Sequence, residues 1–415
     1  MTARPQRALV VGGSLGGLFA AHLLLREGWE VEVFEQAREP LAGRGAGIIT
    51  HPELFDCLAR IGIGVDESFG VEIPGRVTFD RAGNEIAALE LPQFLTTWGR
   101  LHGLLLAAFP AARYRLGHEL VGLEQDAGAV TARFANGAAA RGELLVGADG
   151  IRSRVRALLA PEARPRYAGY VAWRGLAEER RLSPATHRAL FPRFAFCLPP
   201  REHMLGYPVA GFTGSTRAGE RCYNFVWYRP ADESRELPLL CTDVHGTRHD
   251  LSVPPPLVHP ARLAEMRRAA ERTLSPQFVE VVRHAARPFF QAIFDLASTR
   301  IAFDRIALLG DAAFVARPHA GMGVTKAAGD AMALADSLRA CGGDVVPALQ
   351  RYQAARVPFG TAVVDYARAL GAWLEGVETE EARRHHTPQA VMEEIAVERD
   401  FGGAPRAKSA IVQRT

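Results

Sequence analysis

Val10-Val11-Gly12-Gly13-Ser14-Leu15-Gly16-Gly17-Leu18 is the stretch whose reading decides the fold. It continues the short apolar run Ala8–Val11, which reads as a buried parallel strand. It also opens a helical pattern from Leu15 to Glu27 that Gly28 stops. Glu30–Glu35 (EVEVFE) alternates and reads as a second strand, so the chain begins with a βαβ unit. A helix start exposes unpaired backbone N–H groups and a partial positive charge, which suits a diphosphate. Gly12, Ser14 and Gly17 take the three small-residue positions of a dinucleotide turn, with Gly13 and Leu15 beside them. Glu35, 18 residues after Gly17, ends the second strand with Gln36 next to it. A carboxylate there can accept both hydroxyls of an adenosine ribose. The alternative is an ordinary glycine-rich strand–helix turn.

Composition narrows the classes around this unit. A chain of 415 residues implies two to three lobes. Its 48% hydrophobic and 23% charged residues exclude disordered, collagen-like and coiled-coil chains. A net charge of +3 is too small to imply nucleic acid. Among the 49 basic residues only Lys326 and Lys408 are lysines. The five cysteines form no CxxC and read as free thiols of a cytoplasmic protein. Arg4 and Arg7 before the almost uncharged stretch Ala8–Leu25 imitate a signal peptide or membrane span. The clustered glycines and the strand that follows at once favour the nucleotide turn, and no membrane partner is expected.

Further along, residues 77–91 read as strands joined by a turn at Arg81–Asn84, Trp98–Phe109 as a helix, and Leu120–Phe134 as a hairpin. From Tyr167 to Phe290 proline breaks and aromatic strands such as YNFVWY (223–228) point to a mostly antiparallel second lobe. Helical pattern returns at Pro260–Leu274, at Val324–Ala340, and from Val357 to about Arg399. The expected fold is therefore α/β: a Rossmann-like dinucleotide-binding domain, an inserted antiparallel β domain and a helical tail. The expected division is residues 1–75, 96–165 and 291–355 for the first domain. Residues 76–95 and 166–290 make the second, and 356–415 the tail.

Two later segments specify the dinucleotide. Residues 144–156, LLVGADGIRSRVR, carry Asp149 after an apolar strand. Residues 305–323, RIALLGDAAFVARPHAGMG, carry Gly310-Asp311 after another strand and then Gly321-Met322-Gly323 opening a helix with Val324. With the first turn, these three motifs in this order resemble the aromatic-ring hydroxylases of the para-hydroxybenzoate hydroxylase family, single-component FAD monooxygenases. The resemblance covers most of the chain and implies a glutathione-reductase-type FAD-binding domain. It assigns Asp149, Arg44 and Gly47 in GRGAGI (43–48), and Arg100 to cofactor contacts. It further implies that Asp311 meets the ribityl chain and that the helix start at Gly321–Val324 faces the flavin pyrimidine. A positive helix end there suits the negative charge of reduced flavin. The chain departs from the family pattern at Phe314, where histidine is usual, at Met322, where glutamine is usual, and at Thr325, where asparagine is common.

The implied chemistry is hydride transfer from NADH or NADPH to FAD, reaction with O2, and hydroxylation through a flavin C4a-hydroperoxide. GYVAWRG (169–175) and NFVWY (224–228), in the middle lobe, are similar to hydroxypyridine hydroxylases within the family. The substrate expected is thus a small hydroxylated N-heteroaromatic such as 2,6-dihydroxypyridine. His51, Tyr207, Tyr228 and His319 are the candidate substrate-binding or proton-transfer residues. Helix capping is the other reading of His51, and core packing that of the tyrosines. His245 and His249, four apart, lack a third ligand nearby, so no metal is expected. A homodimer is implied, with the tail a candidate contact or cap. Open alternatives are a same-family hydroxylase of a phenol, hydroxynicotinate or natural-product aromatic, and a non-catalytic flavin-binding protein. A reductase-type flavoprotein would need a second glycine motif and usually a CxxC. A flavin halogenase would need a tunnel lysine and a WxWxIP segment, which the sequence lacks.

Overall fold

A computed structural model describes residues 5–41 and 47–401; Arg44 and Lys408 lie outside them. Strand Arg7–Val11 is the centre of a six-stranded sheet. It pairs in parallel with Glu30–Phe34 on one side and Leu144–Gly147 on the other, and the latter pairs in parallel with Ile306–Leu308. Ala302–Phe303 and Tyr114–Arg115 form the edges. Inner strands Arg7–Val11, Leu144–Gly147 and Ile306–Leu308 are apolar almost throughout because both faces are covered, as a parallel sheet requires. Helices Leu15–Arg26 and Gly323–Ala340 pack against each other in this layer. The expected hairpin is present as Leu120–Gln125 and Val130–Phe134, joined by Ala139–Gly142 into a three-stranded sheet.

The second sheet has nine strands. In spatial order they are Phe314–Val315, Ala285–Ala297, Arg166–Glu178, Cys222–Pro230, His203–Val209, Arg193–Cys197, Val71–Phe79, Glu85–Thr97 and Gly47–Ile49. All neighbours are antiparallel except Arg193–Cys197 with Val71–Phe79. Strands Val71–Phe79 and Ala285–Ala297 each run across a boundary drawn from the sequence. Side chains alternate between the two faces. Trp173, Phe225 and Trp227 point to one face and pack on helices Pro260–Thr273 and Pro276–His284 through Met266, Phe278 and Val281. Tyr170, Phe194, Tyr207 and Tyr228 point to the other face, under Leu370, Leu374, Val391 and Ile395 of the tail.

The tail differs from its sequence reading. Its first helix runs from Val345 to Glu375, twelve residues earlier than Val357, and passes through Pro358. Proline in a helix interior costs about 3 kcal/mol. Here Leu349 and Tyr352 before it, and Val363, Val364 and Ala367 after it, are buried along the helix, and that packing carries it through. Helicity then breaks at Gly376, whose φ is +104°, and resumes only as Glu380–Arg384 and Pro388–Glu394. Phe314, in the place of the usual histidine, is fully buried against Gly360 of the long helix; a Cβ on that glycine would stand 2.5 Å from the ring. No described helix is long and apolar enough to cross a membrane. The five cysteines are free thiols.

Candidate active site

The first motif is shaped by backbone contacts. Gly12 has φ +105°, and a Cβ on it would stand 2.4 Å from the carbonyl oxygen of Ala148. A Cβ on Gly17 would stand 1.9 Å from the carbonyl oxygen of Gly12. Neither position admits a side chain, and the first of them brings the turn against the second motif. Ser14 is the N-cap of helix Leu15–Arg26, yet its side chain makes no capping bond, and the first intrahelical donor is Leu18 N–H to Ser14 O at 3.0 Å. The helix therefore presents uncapped N–H groups, as an anion site does.

Glu35 is buried beside this turn. One carboxylate oxygen accepts from Gly13 N–H at 2.8 Å and the other from Ala37 N–H at 2.9 Å. Each oxygen keeps a lone pair for a ligand hydroxyl. Gln36 is exposed. Two residues that sequence reading passed over complete the turn: Tyr114 donates to Gly13 O at 2.9 Å, and His102 Nε2 lies 3.1 Å from the same oxygen. Burial lowers the pKa of His102, so its ring is neutral and can donate from Nε2. His102 lies two residues from Arg100 in helix Trp98–Ala108, and Tyr114 on an edge strand; neither belongs to the glycine turn itself, so the motif did not reveal them.

Asp149 closes on its own segment. It accepts from Ser153 Oγ at 2.5 Å and from the N–H groups of Arg154 and Val155 at 2.6 and 3.1 Å, capping helix Arg154–Leu159. Burial raises its pKa and these bonds oppose the rise. Arg156, buried, donates to Ala312 O at 2.9 Å and so ties the second motif to the third. The third motif meets the first where a Cβ on Gly16 would touch Leu309 and Ala327 at 3.1 and 3.5 Å. Gly310 N–H donates to Asp330 at 3.1 Å, while the Asp311 side chain is 51% exposed. Met322, N-cap of helix Gly323–Ala340, makes no capping bond, leaving a second uncapped helix start beside Val324. Two open helix ends, a buried carboxylate between strand and turn, and an open aspartate fit an anionic dinucleotide with a polyhydroxylated chain.

The candidate substrate residues converge on the tail-facing side of the nine-stranded sheet. Tyr228 and His319 have ring centroids 4.3 Å apart, and Tyr170 Oη lies 2.8 Å from His319 Nε2. Tyr207 stands under Gly47, where a Cβ would meet its hydroxyl at 2.8 Å. Gly47 N–H also donates to Asn224 Oδ1 at 3.3 Å. Burial drives the Tyr207 hydroxyl up and holds Tyr228 at about 12, opposed in both by the charge of Arg174. Arg174 is thus near enough for its charge to act on both hydroxyls, whereas Trp173, its neighbour, points to the opposite face. Burial pushes His319 down to about 3 and His203 well below its ordinary 6.5, so both are neutral. His203, Asn224 and Tyr170 are not among the candidates from sequence, although Tyr170 and Asn224 lie in the segments GYVAWRG and NFVWY; His203 lies in none of the motifs.

His51 occupies the N-cap of helix Pro52–Ile61, but its side chain makes no capping bond, against the capping alternative. Its Nε2 instead lies 3.5 Å from where a Cβ on Gly321 would stand, next to the second open helix start. Arg100 is not drawn into this group; its guanidinium reaches Ser68 Oγ and Gly214 O. His249 pairs with Asp243 at 2.9 Å within the turn of DVHG (243–246), and no metal-holding cluster of three acidic, histidine or cysteine side chains occurs among the described residues.

Comparison with known proteins accords with this geometry. The chain matches the FAD binding domain family over residues 6–189 and 263–367, and residues 167–295 match an FAD binding domain-like family. It is 33% identical over 380 residues to 2,6-dihydroxypyridine 3-monooxygenase of Paenarthrobacter nicotinovorans, covering 90% of this chain and 93% of the relative. It is 32% identical over 370 residues to a 3-amino-4-hydroxybenzoate 2-monooxygenase of Streptomyces platensis, covering 86% and 85%. The solved 2,6-dihydroxypyridine-3-hydroxylase from Arthrobacter nicotinovorans superposes with a TM-score of 0.86 at 30% identity, over 99% of this chain and 100% of that one. A Klebsiella pneumoniae HpxO variant complexed with FAD gives 0.77 at 25% identity, over 94% and 95%. The chain thus belongs to the FAD binding domain family and is an FAD-dependent aromatic monooxygenase of the para-hydroxybenzoate hydroxylase type.

Proposed function

We propose that this monooxygenase hydroxylates a small hydroxylated N-heteroaromatic such as 2,6-dihydroxypyridine, consuming NADH or NADPH and O2. FAD, when bound, accepts the hydride and delivers one oxygen atom of O2 to the ring. The uncapped start of helix Leu15–Arg26 would hold its diphosphate, Glu35 its ribose and Asp311 its ribityl hydroxyls. The start of helix Gly323–Ala340 would face its pyrimidine edge. The observation that carries the substrate reading is the polar face itself. Tyr207, Tyr228 and Asn224 offer hydrogen bonds to a small ring bearing hydroxyls and a ring nitrogen. Arg174 supplies the cation that favours its deprotonated, electron-rich form. His319 and His203, neutral, can exchange hydrogen bonds with such a ring but cannot neutralise it. His51, beside Gly321, is the candidate proton acceptor. Identity to the dihydroxypyridine enzyme over nine-tenths of both chains supports the same reading.

A second reading, an aminohydroxybenzoate substrate, is favoured by one observation: Arg174 Nε is buried without a hydrogen-bond partner among the described residues and could meet a carboxylate. Difference-spectrum titration of the FAD-loaded protein with 2,6-dihydroxypyridine, 3-amino-4-hydroxybenzoate and simple phenols separates them. The proposal expects the hydroxypyridine to bind most tightly; tighter binding of the benzoate would replace it with the second reading.

A further inference from the structure

Lys326 is one of two lysines in a chain that otherwise uses arginine for every basic residue. It lies in the first turns of helix Gly323–Ala340, and its side chain is 0% exposed. Its Nζ stands 3.9 Å from Asp311 Oδ1 and 3.8 Å from Asp330 Oδ2, with no hydrogen-bond partner among the described residues. Asp330, also buried, is held from behind by Arg356 Nε at 2.7 Å and accepts from Gly310 N–H. Four charges therefore alternate from the core outward: Arg356, Asp330, Lys326, Asp311. The last of them is half exposed, in the third motif.

Burial of the three inner charges is costly unless each is balanced. Remove the ammonium and two carboxylates, Asp311 and Asp330, remain facing one space with only Arg356 behind the second. Desolvation and the charge of Asp330 push the Asp311 carboxyl above its ordinary range; Lys326 is the larger opposing charge and Arg156 the smaller, its guanidinium donating to the backbone oxygens of Asp311 and Ala312. A compact ammonium on a flexible stem suits a gap between two carboxylates, where a planar guanidinium would demand a wider one. Full burial also means that Lys326 cannot itself touch a bound molecule. Its influence reaches that molecule only through Asp311.

We propose that Lys326 is a positioning residue that holds Asp311 ionised, as an acceptor for the cofactor's ribityl hydroxyls. This rests on the assignment of Asp311 to that contact. An ionised acceptor binds a hydroxyl about twice as strongly as a neutral one. Without Lys326, Asp311 takes up a proton at higher pH, and FAD affinity falls as pH falls.

The test is fluorescence titration of the full-length, FAD-stripped protein with FAD at pH 5.5 to 8.5. Wild type, Lys326→Met, Asp311→Asn and the double variant are compared, with circular dichroism as the check on folding. Wild type is expected to show no binding midpoint in this range. K326M should bind FAD about tenfold more weakly at pH 6 than at pH 8.5. D311N and the double variant should match each other and lack the pH slope. A folded K326M with wild-type affinity and no slope would overturn the proposal. So would a binding midpoint within the range in wild type that D311N abolishes, a result that does not depend on K326M folding. Failure of wild type to take up FAD at any pH would instead strike the assignment of the cofactor site.

Discussion

Arg76 and Ile395 are joined by a hydrogen bond of 2.7 Å across 319 residues of sequence. The same guanidinium donates to Met392 O at 2.9 Å and Ala396 O at 3.1 Å, and to Gln93 Oε1. Gln93 Nε2 donates to Ala396 O at 3.0 Å, and Ala396 N–H donates to His319 O at 2.8 Å. Arg76 is 1% exposed and has no carboxylate partner among the described residues; it lies over the ring of Phe194 at 4.8 Å. Burial lowers its pKa to about 9, still cationic at neutrality. Its charge is met by carbonyl dipoles at the end of helix Pro388–Glu394.

Arg76 thus straps the end of the tail across the nine-stranded sheet. Replacing it with methionine leaves the Met392 and Ile395 carbonyls without their donor, at about 1 kcal/mol or more each, while Ala396 O keeps Gln93 Nε2. Arg76→Met should lower unfolding stability by about 2 kcal/mol and speed tryptic cleavage after Arg383 or Arg384. It should also raise the share of NADH oxidised without product, because the strap no longer shields the site from water. Cleavage and coupling both at wild-type levels would show that the tail is held by packing alone.

Tyr114→Phe probes the turn. Losing the bond to Gly13 O while His102 keeps its own should weaken FAD binding severalfold, a change of about 1 kcal/mol, with the fold unaltered. The pair Tyr114→Phe with His102→Phe should lose far more than either alone. Titration of the stripped proteins with FAD measures both; unchanged affinity in the pair would remove these side chains from the site.

The buried histidines set an acid limit. Burial holds His319 at about 3 and His386 at about 4, below the ordinary 6.5, so as pH falls the unfolded chain binds protons first. Stability is complete above about pH 6.5 and declines as pH drops toward 4, by up to about 1.4 kcal/mol per pH unit for each histidine. Urea unfolding at pH 7.5 and 5.0 should show that loss, and His319→Asn should reduce it. An identical loss in the variant would place the acid sensitivity elsewhere.

How much of this was readable beforehand depends on the kind of constraint. Gly12 and Gly17 are forced by backbone contacts with Ala148 and with each other, so spacing alone disclosed them. The alternating aromatics of residues 223–228 disclosed a strand, because period-two patterning survives in sequence. The face shared by Tyr207, Tyr228 and His319 showed itself only in part. Those three are candidates from sequence, whereas Arg76 and His203 lie on strands outside every motif and join them only through the fold. Lys326 looked like an unremarkable helix residue until Asp311 and Asp330 were placed on either side of it. Sequence pattern starts the long tail helix at Val357 instead of Val345 and carries it on to Arg399, because its first turns and its stop at Gly376 are set by tertiary packing and one left-handed residue rather than by a strong local pattern.

The central claim is that this site couples reduced nicotinamide and O2 to oxygen insertion into a small hydroxylated N-heteroaromatic. Its most direct test is turnover of the FAD-loaded protein with NADH, NADPH, 2,6-dihydroxypyridine and 18O2, read by mass spectrometry. The account predicts a product carrying one 18O atom, formed only when nicotinamide is consumed. Nicotinamide oxidation that yields peroxide alone, with every hydroxypyridine recovered unlabelled, would contradict it.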